Sequence, residues 1–531
     1  MNMLKKSLMA AVALGVAAAV MPAQAETFKY SFQGDVQSLD PHSLNETFSL
    51  GFWGNIYEGL TAYDENLGLI PALAESWENP EPNKWIFHIR KGVKFHDGGD
   101  LTADDVIFSW QRALSEGSDM KVRAGAIKKM TKVDDFTIEA WTADPMPILM
   151  QEMTTLYIMD KEWSEAHNTT TSVNASGGTE NNYAGLHANG TGPFKVVERQ
   201  PDVKTTLTRF DGYWADIKSN VTDVEFTPIK QAATRVAALI SGEMDLIYPV
   251  PVQDWKRLDE ADGVKPLTGP EARTIFLGMD QSRDELLYSN VKGKNPFKDK
   301  RVREAFAHAI NLSAIKKKIM RGAATPAGLL VAPQINGFNK ALNKPYEYNP
   351  KKSIALLQEA GYPNGFEVSM DCPNNRYVND EKICQAVASM LAKVGVKVNV
   401  NAQPKSKYFA KVLATNDFDT SFYLLGWTPS SIDAHNAYQN LMHCQDRENQ
   451  LGLFNLGNFC NKRVDELTAQ IGTETDPAKR QALFDEGFKI VKDEVGYLPI
   501  HQQPLSWGVR DGVSVAQRAD NVLDIRNVVM P

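Results

Sequence analysis

The chain has 531 residues, of which 57 are Lys or Arg, 65 are Asp or Glu and 43% are apolar. At roughly 150 residues per domain this length holds about three to four domains or two large lobes, and the ordinary Gly, Pro and aromatic content excludes a collagen-like, disordered or disulfide-dense chain. A formal net charge of −8 without a basic block excludes a phosphate-backbone binder, so no nucleic-acid partner is expected.

Residues 1–25 read as an export address. Lys5 and Lys6 precede the apolar run Leu8 to Val20, and Ala23-Gln24-Ala25 is a small-x-small cleavage pattern, which starts the mature chain at Glu26. About 13 apolar residues make a helix of only ~20 Å, too short for a ~30 Å hydrocarbon core. No Cys lies in or just after the segment, so no lipid anchor on an N-terminal Cys is expected. No later stretch reaches 18 consecutive apolar residues. The expectation is a soluble protein exported to the periplasm.

Residues 27–32 alternate polar and apolar and predict an opening strand. Trp85 to Arg90 does the same. It resumes at Val93 to Phe95, a hairpin-like unit with His96-Asp97-Gly98-Gly99 as the turn. Thr102 predicts a helix N-cap, with Asp104 and Asp105 in the first turn and Val106, Ile107, Trp110 and Leu114 as the apolar stripe. Residues 165–190, rich in Asn, Thr, Ser and Gly, predict a surface loop before a strand at Phe194–Val197. Helices are predicted at 231–241, 299–320, 350–360 and 379–394, and a strand at 396–400. Strands and helices interleave in both halves, so the fold class is α/β.

Four cysteines, Cys372, Cys384, Cys444 and Cys460, all lie in the C-terminal half. An even number in an oxidising compartment favours two disulfides among three possible connectivities. Sequence-local pairing, Cys372–Cys384 and Cys444–Cys460, is the expected one, each bridge contributing ~3 kcal/mol in the chain-entropy model. A zinc site lacks its usual CxxC or HxxxH spacing. GxxxxGK[ST], HExxH, GxSxG and strand-linked GxGxxG are all absent, and paired acids such as Asp104-Asp105 read as solvated caps. No catalytic residue, metal site or cofactor is therefore expected. A hydrolase assembled from distant residues is the rival class.

The stretch ALAESWENPEPNKWIFHIRKGVKFHDGGDLTADDVIFSWQRAL, from 72 to 114, resembles the extracytoplasmic solute-binding proteins of family 5, the dipeptide- and oligopeptide-binding proteins of ABC importers. GTGPFKV at 190–196 and FKDKRVREAFAHAINLSAI at 297–315 agree. The resemblance implies a two-lobe periplasmic binding protein fold with a hinge of two chain crossings, near Glu271–Thr274 and Tyr497–His501. Lobe I would comprise 26–62, 187–272 and 500–531, with an extra subdomain at 63–186. Lobe II would be 273–499. It also implies a monomer that closes on a small-molecule ligand, probed first as a peptide, and delivers it to membrane permease subunits.

The resemblance also points to cleft residues. Peptide-binding members carry Gly-Trp-x-x-Asp, whose carboxylate meets the peptide ammonium. This chain has Gly426-Trp427-Thr428-Pro429-Ser430, with Ser430 in place of the acid. A hydroxyl does not replace a buried negative charge. Asp433, three residues on, is either the substitute or a helix cap. The departure opens the alternative of a modified peptide, an opine or an oligosaccharide. Trp427, at the end of the apolar run Phe422–Leu425, is expected to offer a flat ring to the ligand. Arg376 and Tyr377, between Cys372 and Cys384, match a region where relatives hold the ligand carboxylate. Phe48 and Trp53 are expected at the lobe I wall, Trp53 with core packing as its rival role. Thr274 and Phe276 lie in a stretch similar to the strand that pairs with extended peptides through its backbone.

Overall fold

The computed structural model describes residues 26–175, 182–413 and 417–531. The export address at 1–25 lies outside the described residues. Apart from a two-residue strand at Thr325–Pro326, the strands of its two larger sheets are β1 (Glu26–Phe32), β2 (Ala74–Glu81), β3 (Lys84–Ile89), β4 (Ile127–Asp134), β5 (Thr137–Thr142), β6 (Phe194–Gln200), β7 (Lys204–Arg209), β8 (Val221–Phe226), β9 (Leu246–Tyr248), β10 (Val264–Met279), β11 (Glu367–Pro373), β12 (Lys397–Gln403), β13 (Phe422–Trp427) and β14 (Leu498–Arg510), the last of which the short strand pairs with. One mixed sheet runs β12-β11-β13-β10-β14-β9-β1-β8-β7-β6, and the smaller sheet runs β2-β3-β5-β4.

β1 is parallel to both β8 and β9, and β11 is parallel to both β12 and β13. Parallel neighbours need a crossover, which a helix usually supplies. Ala232–Ile240 crosses from β8 to β9, and Asp380–Ala392 crosses from β11 to β12. The helices end where a left-handed glycine follows, Gly242 and Gly395, since a Cβ at positive φ is strained.

β10 and β14 form the centre of the molecule. They pair antiparallel from Val264–Arg510 to Leu277–Leu498. The 16 residues of β10 extend ~50 Å at ~3.3 Å per residue, longer than one lobe needs. The ladder slips between Pro270 and Thr274 and again between Ile275 and Phe276. On one side of these slips lies an apolar core with Phe28, Trp53 and Phe226. On the other lie two more, one with Ile275, Phe306 and Phe422, one with Phe276, Tyr423 and Tyr438. The fold is α/β and two-lobed, with two long strands joining the lobes.

Thr102 caps the Ala103–Ala113 helix in a capping box with Asp105. Val106 and Trp110 are buried there, whereas Leu114, one residue past the helix, is exposed. The turn read at His96–Gly99 is made: Lys94 bridges antiparallel to Asp100, the Phe95 N–H meets the Gly99 carbonyl at 2.9 Å and the Leu101 N–H meets the Val93 carbonyl at 3.0 Å. The strand before it, β3, pairs instead with β2 and β5. Val93 and Phe95 are buried plugs, and the His96 ring meets the Gly192 carbonyl at 2.9 Å, tying FHDGG to GTGPF. The single helix read at 299–320 is two: Lys300–Ala309 ends at extended Ile310, and Asn311 caps a new turn by accepting from the Ala314 N–H. Both sequence-local disulfides are present, Cys372–Cys384 and Cys444–Cys460. Among the described residues no helix is long and apolar enough to cross a membrane.

Candidate functional site

A cleft with about 1050 Å³ of empty space opens beside the slipped segment of β10. One wall is Phe32 and Gln33 at the end of β1, with Arg235, Pro249 and Val250. The floor is Glu271 and Arg273 of β10 with Gln503 of β14. The opposite wall is the loop Asn374–Asn379. Both lobes and both joining strands therefore border one space, the place where open α/β sheets bind ligands.

The loop wall is built by Asp380. Its carboxylate accepts the backbone N–H groups of Arg376 and Tyr377, at 2.9 and 3.0 Å. The Cys372–Cys384 bridge joins β11 to the helix that follows. Burial raises the Asp380 carboxyl above its ordinary range, against those donors. Tyr377 is buried, and its hydroxyl donates to the Gly426 carbonyl at 3.2 Å. A Cβ at position 426 would stand 2.7 Å from the Tyr377 ring, which explains glycine before Trp427. Guanidinium groups lie near that ring at both ends, Arg376 at 5.2 Å and Arg273 at 5.8 Å from its centroid.

Arg273 is buried and donates to Glu271 at 2.9 Å. Burial opposes its charge, but Glu271 more than compensates, and the group is held above its usual range. Gln503 donates to the other Glu271 oxygen and accepts from the Val378 N–H. Gln253 donates to Asn379 across the cleft at 2.9 Å. Arg235 donates to the carbonyls of Ile229, Lys230 and Pro249, and burial lowers it to about 10. Arg376 has no ion-pair partner among the described residues, in a cleft whose other charged lining residues are Arg235, Arg273 and Lys382 against Glu271, Asp380 and Glu381. Arg273, Glu271, Gln503 and Arg235 were not read as site residues from sequence. Glu271 and Arg273 share β10, but Gln503 and Arg235 lie on distant segments, and no local spacing brings the hinge strands together.

The other sequence candidates fall in several places. Trp427 is half-buried at the end of β13, paired with Thr274 of β10. Its indole donates to Asn436 at 3.0 Å and packs on Phe454 at 4.9 Å. Ser430 is exposed and accepts from Asn436 at 3.4 Å. Phe48 stacks behind the cleft residue Phe32 with ring centroids 4.0 Å apart. Trp53 is core: it is fully buried and donates to the Ser38 carbonyl.

Thr274 and Phe276 require correction. From Thr274 to Leu277, β10 is paired with β13 on one edge and β14 on the other, so its backbone has no free edge for a peptide. Phe276 is fully buried against Tyr497. Asp433 also departs from the ammonium-binding role. One carboxylate oxygen accepts from Arg480 and Asn336, the other from Arg480 and the His435 N–H, at 2.6 to 2.9 Å. All its acceptor positions are used by the chain.

His501, on β14 beside the slip, is 2% exposed and neither ring nitrogen has a partner. Burial lowers its pKa to about 3. The folded state therefore holds it neutral, while an unfolded His takes a proton near pH ~6.5. Its stability contribution is full above that pH and declines as pH falls toward 3, by ~1.4 kcal/mol per unit at most. His501→Leu is expected to remove this slope. Urea unfolding at pH 7 and 4.5 checks it, and equal acid losses in both proteins would contradict it.

The cleft between two lobes on shared strands defines the class: a two-lobed solute-binding protein. Residues 68–449 match the model of the bacterial extracellular solute-binding proteins, family 5. The chain belongs to that family, whose members deliver small-molecule ligands to ABC transporter permeases. It is 28% identical over 502 residues to the glutathione-binding protein GsiB of Escherichia coli K12, covering 92% of each chain. Among solved structures, DppA of Helicobacter pylori in complex with the peptide STSA is similar with a TM-score of 0.78 and 24% identity, over 95% of this chain and 98% of that one. AgaA of Agrobacterium tumefaciens R10, in complex with agropinic acid, is similar with a TM-score of 0.77 and 24% identity, over 95% and 99%.

Proposed function

We propose that this chain is the periplasmic receptor of an ABC importer, that it captures short peptides bearing a free carboxylate, and that it presents the closed form to membrane permease subunits. In this reading lobe I comprises 26–62, 187–272 and 500–531 with its subdomain at 63–186, and lobe II comprises 273–499. The protein acts as a monomer after removal of residues 1–25. Closure bends β10 and β14 at the slipped register, where the ladder is weakest. Ligand contacts on both lobes select the closed state. No bond in the ligand is made or broken.

The observation that supports the peptide reading is the unpaired guanidinium of Arg376 in the interlobe cleft. A planar fork on a braced loop matches a carboxylate bidentately. The relatives that bind glutathione and the peptide STSA are compatible with it. A second reading follows from Ser430 and from the fully engaged Asp433. Neither offers a carboxylate to an ammonium, which favours a carboxylated solute without a free amine, an opine or a blocked peptide; AgaA binds such a compound.

Thermal unfolding with Ala-Ala-Ala, its C-terminal amide and its N-acetyl form separates the readings. The free acid at 100 times its Kd should stabilise by ~2.7 kcal/mol. The amide should not stabilise. Stabilisation by the N-acetyl acid alone would favour the second reading. No stabilisation by any of the three would defeat the peptide assignment.

A further inference from the structure

The single turn Ile315–Ile319 and the residues just after it carry Lys316, Lys317, Lys318 and Arg321. Lys317, Lys318 and Arg321 are exposed, and Lys316 is half-buried. None of the four has an ion-pair partner among the described residues, and no Asp or Glu occurs in the chain between Glu304 and Glu347. Elsewhere exposed lysines are matched, Lys132 by Asp104 and Asp135, Lys298 by Asp284 and Lys397 by Glu367.

This run is fastened to the hinge cleft. The Asn379 amide donates to the Ile319 carbonyl at 2.9 Å, and the same side chain accepts from Gln253 across the cleft. Asn379 and Lys382 line the cleft, and Lys382 is exposed and likewise has no ion-pair partner among the described residues. Lys318 directly precedes Ile319, their Cα atoms ~3.8 Å apart, well inside the ~10 Å Debye length of 0.1 M salt. The acids on the adjoining helix are Asp380, which accepts from the Arg376 and Tyr377 N–H groups, and Glu381, which accepts from Gln385. Against these two stand the four cations of the run with Arg376 and Lys382. The lobe II lip is therefore positive on a chain whose formal net charge is −8.

A local field opposite in sign to the mean charge raises the encounter rate of small anions by about 10- to 1000-fold in favourable cases. Lysine is depleted in protein–protein contacts, which favour aromatic side chains, and the run from Ile315 to Arg321 contains no aromatic residue. Diffuse attraction of a small solute suits it better than docking of a folded partner. We infer that Lys316, Lys317, Lys318 and Arg321 form a steering surface for net-anionic solutes, which speeds their arrival at Arg376 without touching them once bound. The inference rests on the peptide reading above. It adds that, of two ligands of equal shape, the more acidic one binds faster.

Stopped-flow binding of Ala-Glu-Ala and its neutral isostere Ala-Gln-Ala to the full mature protein, at about 20 mM and about 0.5 M salt, tests it. At low salt Ala-Glu-Ala should associate at least ~3-fold faster, and at high salt the two rates should converge. Lys317→Glu with Lys318→Glu should slow its association about tenfold at low salt and reverse the preference, with dissociation changed by less than about twofold. Lys479→Glu with Lys489→Glu changes the net charge equally, at exposed positions of a helix that does not line the cleft, and should leave the preference as it is. Equal association of the two peptides at low salt overturns the steering surface, a result the unsubstituted protein gives by itself should a variant fail to fold. Equal effects of the two double variants overturn it too, as does a change confined to dissociation, which would make the lysines contacts of the bound ligand. Binding of neither peptide overturns the peptide reading and this inference with it.

Discussion

Asp433→Ala is expected to destabilise the protein by about 3–5 kcal/mol, the range for removing one partner of a buried ion pair. The carboxylate is 0% exposed and faces Arg480 at 2.6 and 2.8 Å. Without it a guanidinium is left buried with one remaining acceptor, the Ile471 carbonyl. The Asn336 amide and the His435 N–H lose their acceptor too. Asp433→Asn should also be costly, because it adds donors where four donors already converge. The double replacement Asp433→Leu with Arg480→Met should recover much of the loss, since no unpaired charge remains. Urea unfolding of the three variants measures this. If Asp433→Ala keeps full stability and loses ligand affinity instead, the residue belongs to the binding site.

Arg376→Ala is expected to have the opposite profile. The side chain is half-buried, has no ion-pair partner among the described residues, and lies near one ring, Tyr377. Its backbone N–H, not its guanidinium, holds the loop to Asp380. Stability should therefore change by no more than ~0.5 kcal/mol, as for most exposed substitutions. Affinity for a free-acid peptide should fall about 10- to 100-fold, corresponding to a charge-assisted hydrogen bond of ~1.5–3 kcal/mol. Arg376→Lys should recover only part of it, because an ammonium lacks the fork. The same fall for the free acid and the amide of Ala-Ala-Ala would show that the group does not meet a carboxylate.

The contrast between these residues marks how far a linear reading reaches. Both were candidates for charge recognition, Asp433 three residues past the family's acid position and Arg376 in the region where relatives hold the ligand carboxylate. The distinction between them depends on Arg480, 47 positions from Asp433 in the chain. A carboxylate is a ligand contact when nothing internal claims it, and only the packed structure shows which cations arrive. Likewise Thr274 looked like a strand offering its backbone. Its two neighbours, β13 and β14, occupy both edges.

Much of the local architecture follows from the residues alone. The capping box at Thr102, Pro350 with Gly361, the alternation of β1 and the cysteine pairs rest on contacts within about 17 residues, so neighbouring side chains and φ preferences suffice to define them. The break at Asn311 within an unbroken apolar pattern escaped this reading, because a cap competes with helix propagation at one residue. The cleft itself was decided by tertiary structure. Its floor is Glu271 and Arg273 against Gln503, joined across 232 positions between Glu271 and Gln503, and its wall is a loop braced by Asp380. Which polar groups are left unmatched, and so able to meet a ligand, depends on every donor and acceptor that folding brings near them, and that sum exists only once the two long strands have paired.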